Sequence, residues 1–170
     1  MKGARYIYYG MIAGFLAGLI VGAVIIASSG TLEAVMKELI TESINDQLPP
    51  EEVNKTVETV LQIFNVMIYV SPIIYGIEML LFGALFGLLH RWLVLSKNMG
   101  EVQGAIITGA TFIVIIELLP MGTTYLISPK QIEIISQALS PALWFLPGLT
   151  YLAILIFLSG VNGPWKKLGE

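Results

Sequence analysis

Cysteine is missing from this 170-residue chain, histidine and aspartate occur once each, and only 12% of the residues are charged. Without cysteine there are no disulfides, thiolate metal sites or cysteine nucleophiles. A single histidine, His90, excludes a bis-histidine haem within one chain, and no HExxH zinc motif occurs. The lone aspartate, Asp46, removes aspartate dyads and aspartate-based magnesium sites. No Ser/His/Asp set shares a depth, and neither a P-loop nor a GxGxxG fingerprint is present. The chain therefore reads as a non-enzyme with no cofactor and no metal. Nine basic residues against twelve acidic ones give a net charge of −3 with no basic stripe, so nucleic acid is not an expected partner.

What is abundant is apolar: 56% of the residues are hydrophobic, whereas a soluble domain is typically about a quarter charged. A membrane-crossing helix needs about 20 mostly apolar residues, because it must traverse ~30 Å at 1.5 Å per residue. Four segments meet that length, at about 6–27, 66–93, 103–127 and 141–160. Lys2 and Arg5 before the first of them resemble a signal peptide, yet Tyr6–Ala27 exceeds the usual h-region of about 7–15 residues and reads as a membrane anchor. The expected fold is an all-α integral membrane protein: one membrane domain over 1–170, forming a four-transmembrane-helix bundle in contact with membrane lipids.

Basic residues set the orientation. With the N-terminus inside, Lys2, Arg5, Arg91, Lys97, Lys166 and Lys167 lie on inner flanks, against Lys37, Lys55 and Lys130 outside. The predicted localisation is the cell membrane, multi-pass, with both termini cytoplasmic. Tyr6, Tyr8, Tyr9, Trp92 and Trp165 inside, and Tyr69, Tyr125 and Trp144 outside, suit interfacial belts.

The outer stretch 30–65 has helical apolar spacing on both sides of Pro49-Pro50: Leu32, Val35, Met36, Leu39, Ile40 and Ile44 before, Val53, Val57, Val60, Leu61 and Phe64 after. This predicts an extracytoplasmic amphipathic helical hairpin between helices 1 and 2, whose second arm can run on into the second span with a kink near Pro72. Ser128-Pro129-Lys130-Gln131 has the form of a capping box, with Ile132, Ile135 and Leu139 on one face after it. Ser140-Pro141 suits the start of the fourth span, and Pro147-Gly148 a kink or hinge within it. Asn54-Lys55-Thr56 fits a glycosylation sequon, a short pattern with many chance matches.

Two patterns carry functional weight. Glycines 10, 14, 18 and 22 recur every four residues in the first span, and Gly83 and Gly87 repeat the spacing in the second. Small residues let helix backbones approach in lipid, where little hydrophobic force drives association. They predict tight helix packing, either within the bundle or in a homo-oligomer or complex with other membrane subunits. Glu78 and Glu117 are the only charged residues deep within spans. At helical rise they lie about 20 and 21 Å from the inner ends of spans two and three. Carboxylates at such a depth normally face a bundle interior, a cavity or a partner. Side by side they would bind a proton or cation; the alternative is hydrogen-bonded carboxyls holding helices together. Tyr75, Thr111, Thr123, Thr124 and Tyr151 could add oxygen ligands, and Pro120 with Gly122 frees carbonyls near Glu117. His90 reads either as a pH-sensing or headgroup site or as a wet interfacial residue.

The functional expectation is a small proton- or cation-responsive transporter or channel working through Glu78 and Glu117. The alternative is a non-catalytic accessory subunit of a larger membrane complex.

Overall fold

The computed structural model describes residues 3–44, 48–138 and 141–167, and every regular element among them is helical. In chain order these are α1 (Ala4–Ala27), α2 (Ser29–Ile44), α3 (Pro50–Ser96) and α4 (Glu101–Phe112). A π-helical turn (Ile113–Leu118) leads into α5 (Leu119–Ile127), followed by α6 (Pro129–Ala138), α7 (Pro141–Trp144), α8 (Leu146–Gly160) and a 3₁₀ turn (Pro164–Lys167). Three helical stretches are long and apolar enough to cross a membrane: Ala4–Ala27, Pro50–Ser96 and Glu101–Ile127. Leu146–Gly160 is apolar but shorter.

The closest packing is between α1 and α3, and glycine is the cause. A methyl group placed on Gly10 would overlap the carbonyl of Gly83, and one on Gly14 the carbonyl of Met79. Gly18 faces the carbonyl of Tyr75 in the same way, and Gly22 lies against Pro72. Gly83 and Gly87 answer from α3, the first against Gly10 and the second against Tyr6 and Ile7. The six glycines thus form one seam in which backbone meets backbone. Between them Ala13 and Ala17 are fully buried, so the small-residue face is continuous.

Helix α3 runs 47 residues without a break, so the expected second hairpin arm and the expected second span are a single helix. Glu51 and Glu52 occupy its first turn, where the exposed amides favour negative charge. Pro72 lies inside it and cannot donate to the carbonyl of Ile68 four residues earlier. The Ser71 hydroxyl donates to that carbonyl instead, at 2.6 Å, which repairs the loss within the same helix.

The fourth apolar segment is not one helix. Residue 145 bends between α7 and α8, and α8 restarts with Pro147 at its second position, where a missing N–H costs no hydrogen bond. The core joins α1, α3, α4 and α8 through aromatic rings. Phe86 meets Phe112 edge-on with centroids 5.0 Å apart, and Phe112 stacks on Tyr151 at 4.3 Å. At the opposite end from the N-terminus, α2 packs on α3 and α6, and Lys130 pairs with Glu42 at 2.9 Å. Ser140, Leu139 and Asp46 lie outside the described residues, as does the Gln131 side chain, and with them the expected capping box and start of the fourth span.

Replacing Gly14 by alanine should force α1 and α3 apart and cost about 1–3 kcal/mol, as overpacking does. Gly30→Ala and Gly122→Ala are the controls, since open space surrounds both positions. There alanine should be neutral or stabilise by up to ~1 kcal/mol through helix propensity. Unfolding in mixed detergent, followed by circular dichroism, compares the three; equal losses at all positions would contradict the seam.

Candidate functional site

Glu117 lies in the π-helical turn. The cause of that turn is legible in the chain, because Pro120 cannot donate an amide to the preceding turn. The amide of Leu119 bonds to Val114, five residues back, in place of the usual four. An inserted residue of this kind re-aims the side chains beside it, and such turns are frequent at functional sites. The Glu117 carboxylate points at α8, where its Oε1 accepts the amide of Gly148 at 2.6 Å. Gly148 is the third residue of α8, so this amide has no partner within its own helix. Oε2 is buried beside the same glycine and has no hydrogen-bond partner among the described residues. A side chain at position 148 would collide with it.

Glu117 also lines a cavity of about 290 Å³ with Ile116, Pro120, Met121, Thr124 and Trp144. Ile132 and Ile135 of α6 close one side of it. The indole nitrogen of Trp144 is buried without a partner among the described residues. The other expected oxygen ligands behave differently. Thr123 and Thr124 both donate to the carbonyl of Pro120, at 2.8 and 2.9 Å, and Thr111 donates to Ile107. Tyr151 is fully buried against Phe112. Of the five, Thr124 alone shares the cavity with Glu117. Open space surrounds Gly122.

Glu78 is exposed on the outer surface of α3, among Ile74, Ile77 and Leu81, which are exposed as well. It closes a groove of about 250 Å³ that runs along α3 and includes Ile25 of α1. That groove shares no residue with the Glu117 cavity. No hydrogen bond joins the two carboxylates among the described residues. The depths counted along the sequence put the pair at one level, yet the structure aims each at a different environment.

His90 corrects the reading of a wet interfacial residue. It is fully buried, with its ring 5.0 Å from that of Tyr6. Its Nε2 lies 3.0 Å from the backbone carbonyl of Glu101, so that nitrogen carries the proton and donates. The reason is the glycine seam, which brings α1 and its tyrosines against this end of α3.

Beside His90 lies a cluster that the sequence reading passed over. Glu101, at the start of α4, accepts from Arg5 at 2.5 Å and from Lys166 at 2.6 Å. Tyr6 donates to it at 3.2 Å, and Lys166 also donates to the carbonyl of Ser159. One carboxylate therefore ties the N-terminal residues to α4 and to the 3₁₀ turn after α8. A signal was available: apart from Glu170, Glu101 is the only acidic residue on the expected inner side, among six basic ones. Burial opposes ionisation of Glu101, but the bond from Lys166 and the charges of Arg5 and Lys166 outweigh it and hold the carboxyl below the usual carboxylate range. Among the described residues, no group of three or more His, Cys, Asp or Glu could hold a metal.

No family model, curated protein or solved structure matches the chain. The reading of these sites rests on their own chemistry.

Two measurements follow from the geometry. Glu117→Gln keeps an acceptor for the Gly148 amide, whereas Glu117→Ala strands it and should lose about 1–3 kcal/mol; equal stability of the two variants would refute the bond. Glu101 ionises more readily folded than unfolded, so its contribution is complete above the unfolded pKa and disappears as pH falls through the folded one. Melting temperatures taken from neutral pH into the acid range should fall less steeply for Glu101→Gln than for the parent protein.

Proposed function

We propose that the chain is an integral membrane protein with four spans, supplied by α1, the inner part of α3, the α4–α5 stretch and α7–α8. Both termini would lie on the cytoplasmic side, with α2, the start of α3 and α6 forming the outer helical layer. Three helical stretches have mean hydropathies of 2.5, 1.9 and 2.0, and much of their apolar surface is exposed. Such surface is rare on soluble monomers and is what lipid covers. The cluster of Arg5, Glu101 and Lys166 gathers three chain segments at one end, in keeping with inner basic flanks.

In this setting the protein would act as a small proton- or cation-responsive transporter or channel through Glu117. The observation that carries the reading is the Oε2 atom of Glu117, buried without a hydrogen-bond partner among the described residues on a side chain that lines a cavity. A carboxylate within a span is expensive and marks an ion or proton site by default. The charge is offset only in part by the amide of Gly148 and the positive end of α8. Binding a proton or a cation would supply the rest. The π-helical turn on one side and the break at residue 145 on the other give the site irregular backbone, an arrangement that ion sites in transporters share.

A second reading, the accessory subunit, is favoured by Glu78. A carboxylate in an open groove on the outer face of the bundle lies away from the Glu117 cavity, where a neighbouring subunit would meet it.

Proton and monovalent-cation flux into liposomes holding the purified protein separates the two. The transport reading expects flux that Glu117→Gln abolishes with the fold intact, while Glu78→Gln leaves it in place because Glu78 lines another groove. Absence of flux, with Glu117→Gln merely altered in stability, would assign Glu117 to holding α8 and leave the accessory role.

A further inference from the structure

The groove ending at Glu78 has the dimensions and chemistry of a docking site. Phe64, Met67, Ile74, Tyr75 and Glu78 follow one another at helical spacing along α3, and Ile25 of α1 forms the far wall. From Phe64 to Glu78 the face extends about 21 Å at helical rise, roughly four turns. A second helix lying along this face would bury the apolar residues and meet the carboxylate at its inner end. Knob-and-groove contact of this kind is how helices recognise helices. The polar groups higher in the groove are already committed: the Ser71 hydroxyl bonds to Ile68 and lies 3.3 Å from the carbonyl of Gly22. Glu78 is the one charged group in the lining.

We propose that this groove binds a membrane-spanning helix of another protein that carries a lysine or arginine opposite Glu78. Charge decides the partner. A carboxylate facing lipid is costly, and a hydrogen-bonded cation brought to it offsets part of that cost. A second copy of this chain lacks the complement. Its nine basic residues are Lys2, Arg5, Lys37, Lys55, Arg91, Lys97, Lys130, Lys166 and Lys167, and within the four spans only Arg5 and Arg91 occur, both at inner ends, with Arg5 already paired to Glu101. Two copies related by a two-fold axis along the membrane normal would set carboxylate against carboxylate. The proposal gives the accessory-subunit reading its contact surface and rests on that reading for its biological use. It does not depend on transport through Glu117.

The absence of native cysteine permits a single-label test. Full-length protein carrying Ser96→Cys, at the exposed inner end of α3, is labelled with a donor dye and placed in liposomes. The probe is an acceptor-labelled polyleucine helix of about 20 residues, with one lysine at the depth of Glu78, compared with the same helix lacking lysine. Energy transfer should show roughly tenfold tighter association of the lysine helix, the scale of one interhelical polar contact in lipid. Glu78→Gln should erase that preference, while Glu58→Gln on the outer part of α3 keeps it. Glu78→Lys should reverse it, favouring a helix that carries glutamate. No preference for lysine, or a preference that survives Glu78→Gln, overturns the proposal. Self-association of the chain that Glu78→Gln abolishes overturns it as well, and assigns the groove to a second copy. If the lysine preference holds but the protein isolated from its native membrane is free of other subunits, the surface stands and the accessory reading falls.

Discussion

The contact of α1 with α3, backbone against backbone, is the constraint on which the remaining structure depends. Gly10, Gly14, Gly18 and Gly22 remove the side chains that would hold the two helices apart, and Gly83 and Gly87 do the same from α3. The approach brings Tyr6 against His90 and Glu101 at the start of α4, with Tyr9 packed edge-on to Tyr6. Arg5 can then bridge to Glu101, and Glu101 to Lys166. A wider separation of α1 and α3 would break that chain of contacts at its first link. Helix α8 completes the bundle by packing on both α1 and α4, with Gly109 admitting Leu152 much as the glycines of α1 admit α3.

A second constraint is the accounting of backbone groups around the prolines and at the helix ends. Pro72 frees a carbonyl in α3, and Ser71 beside it supplies the hydroxyl that satisfies it. Pro120 shifts α4 into a π-helical turn, and its own carbonyl receives both Thr123 and Thr124. Pro147 stands at the restart of α8, whose third amide goes to Glu117 on another helix. The first two repairs are local. The third crosses between helices, and it alone uses a charged group, which is why Glu117 has a structural duty alongside any functional one.

Much of this was legible in the sequence, and the misses have definite physical causes. Apolar run lengths predicted a helical bundle of four spans, and the helical class and three long apolar helices are found, because hydropathy depends on composition alone. The every-fourth-residue spacing marked the face along which α1 meets α3, since glycine has few other uses at that density in a helix. Pro147-Gly148 marked the region where the fourth apolar segment breaks, though the bend itself falls at residue 145. Other features depend on which way a residue turns. Depth along a helix could be counted from its end, so Glu78 and Glu117 came out at one level. Azimuth could not, because a π-helical turn between Ile113 and Leu118 changes the phase of everything after it. His90 was misjudged for a related reason: its place in the sequence is at a helix end, but the glycine seam buries that end under Tyr6. Glu101 went unremarked because carboxylates in short loops are commonplace; only its isolation among six cations distinguished it.

Three carboxylates near or within the expected spans can be ranked by how completely the protein compensates each. Glu101 has two cations and a tyrosine hydroxyl, so its charge is balanced inside the fold and its role is cohesion. Glu117 has one amide and the partial charge of a helix end, enough to fix its position but less than a full counter-charge. Glu78 lies among exposed isoleucine and leucine side chains on the bundle's outer face. In water this ordering would carry little meaning, because solvent completes any deficit. In a bilayer the proposed ligands would meet the deficit: a proton or small cation at Glu117, a cation-bearing helix at Glu78. The same low dielectric that would make these residues costly to place would give such ligands a reason to bind, most strongly where the chain itself contributes least.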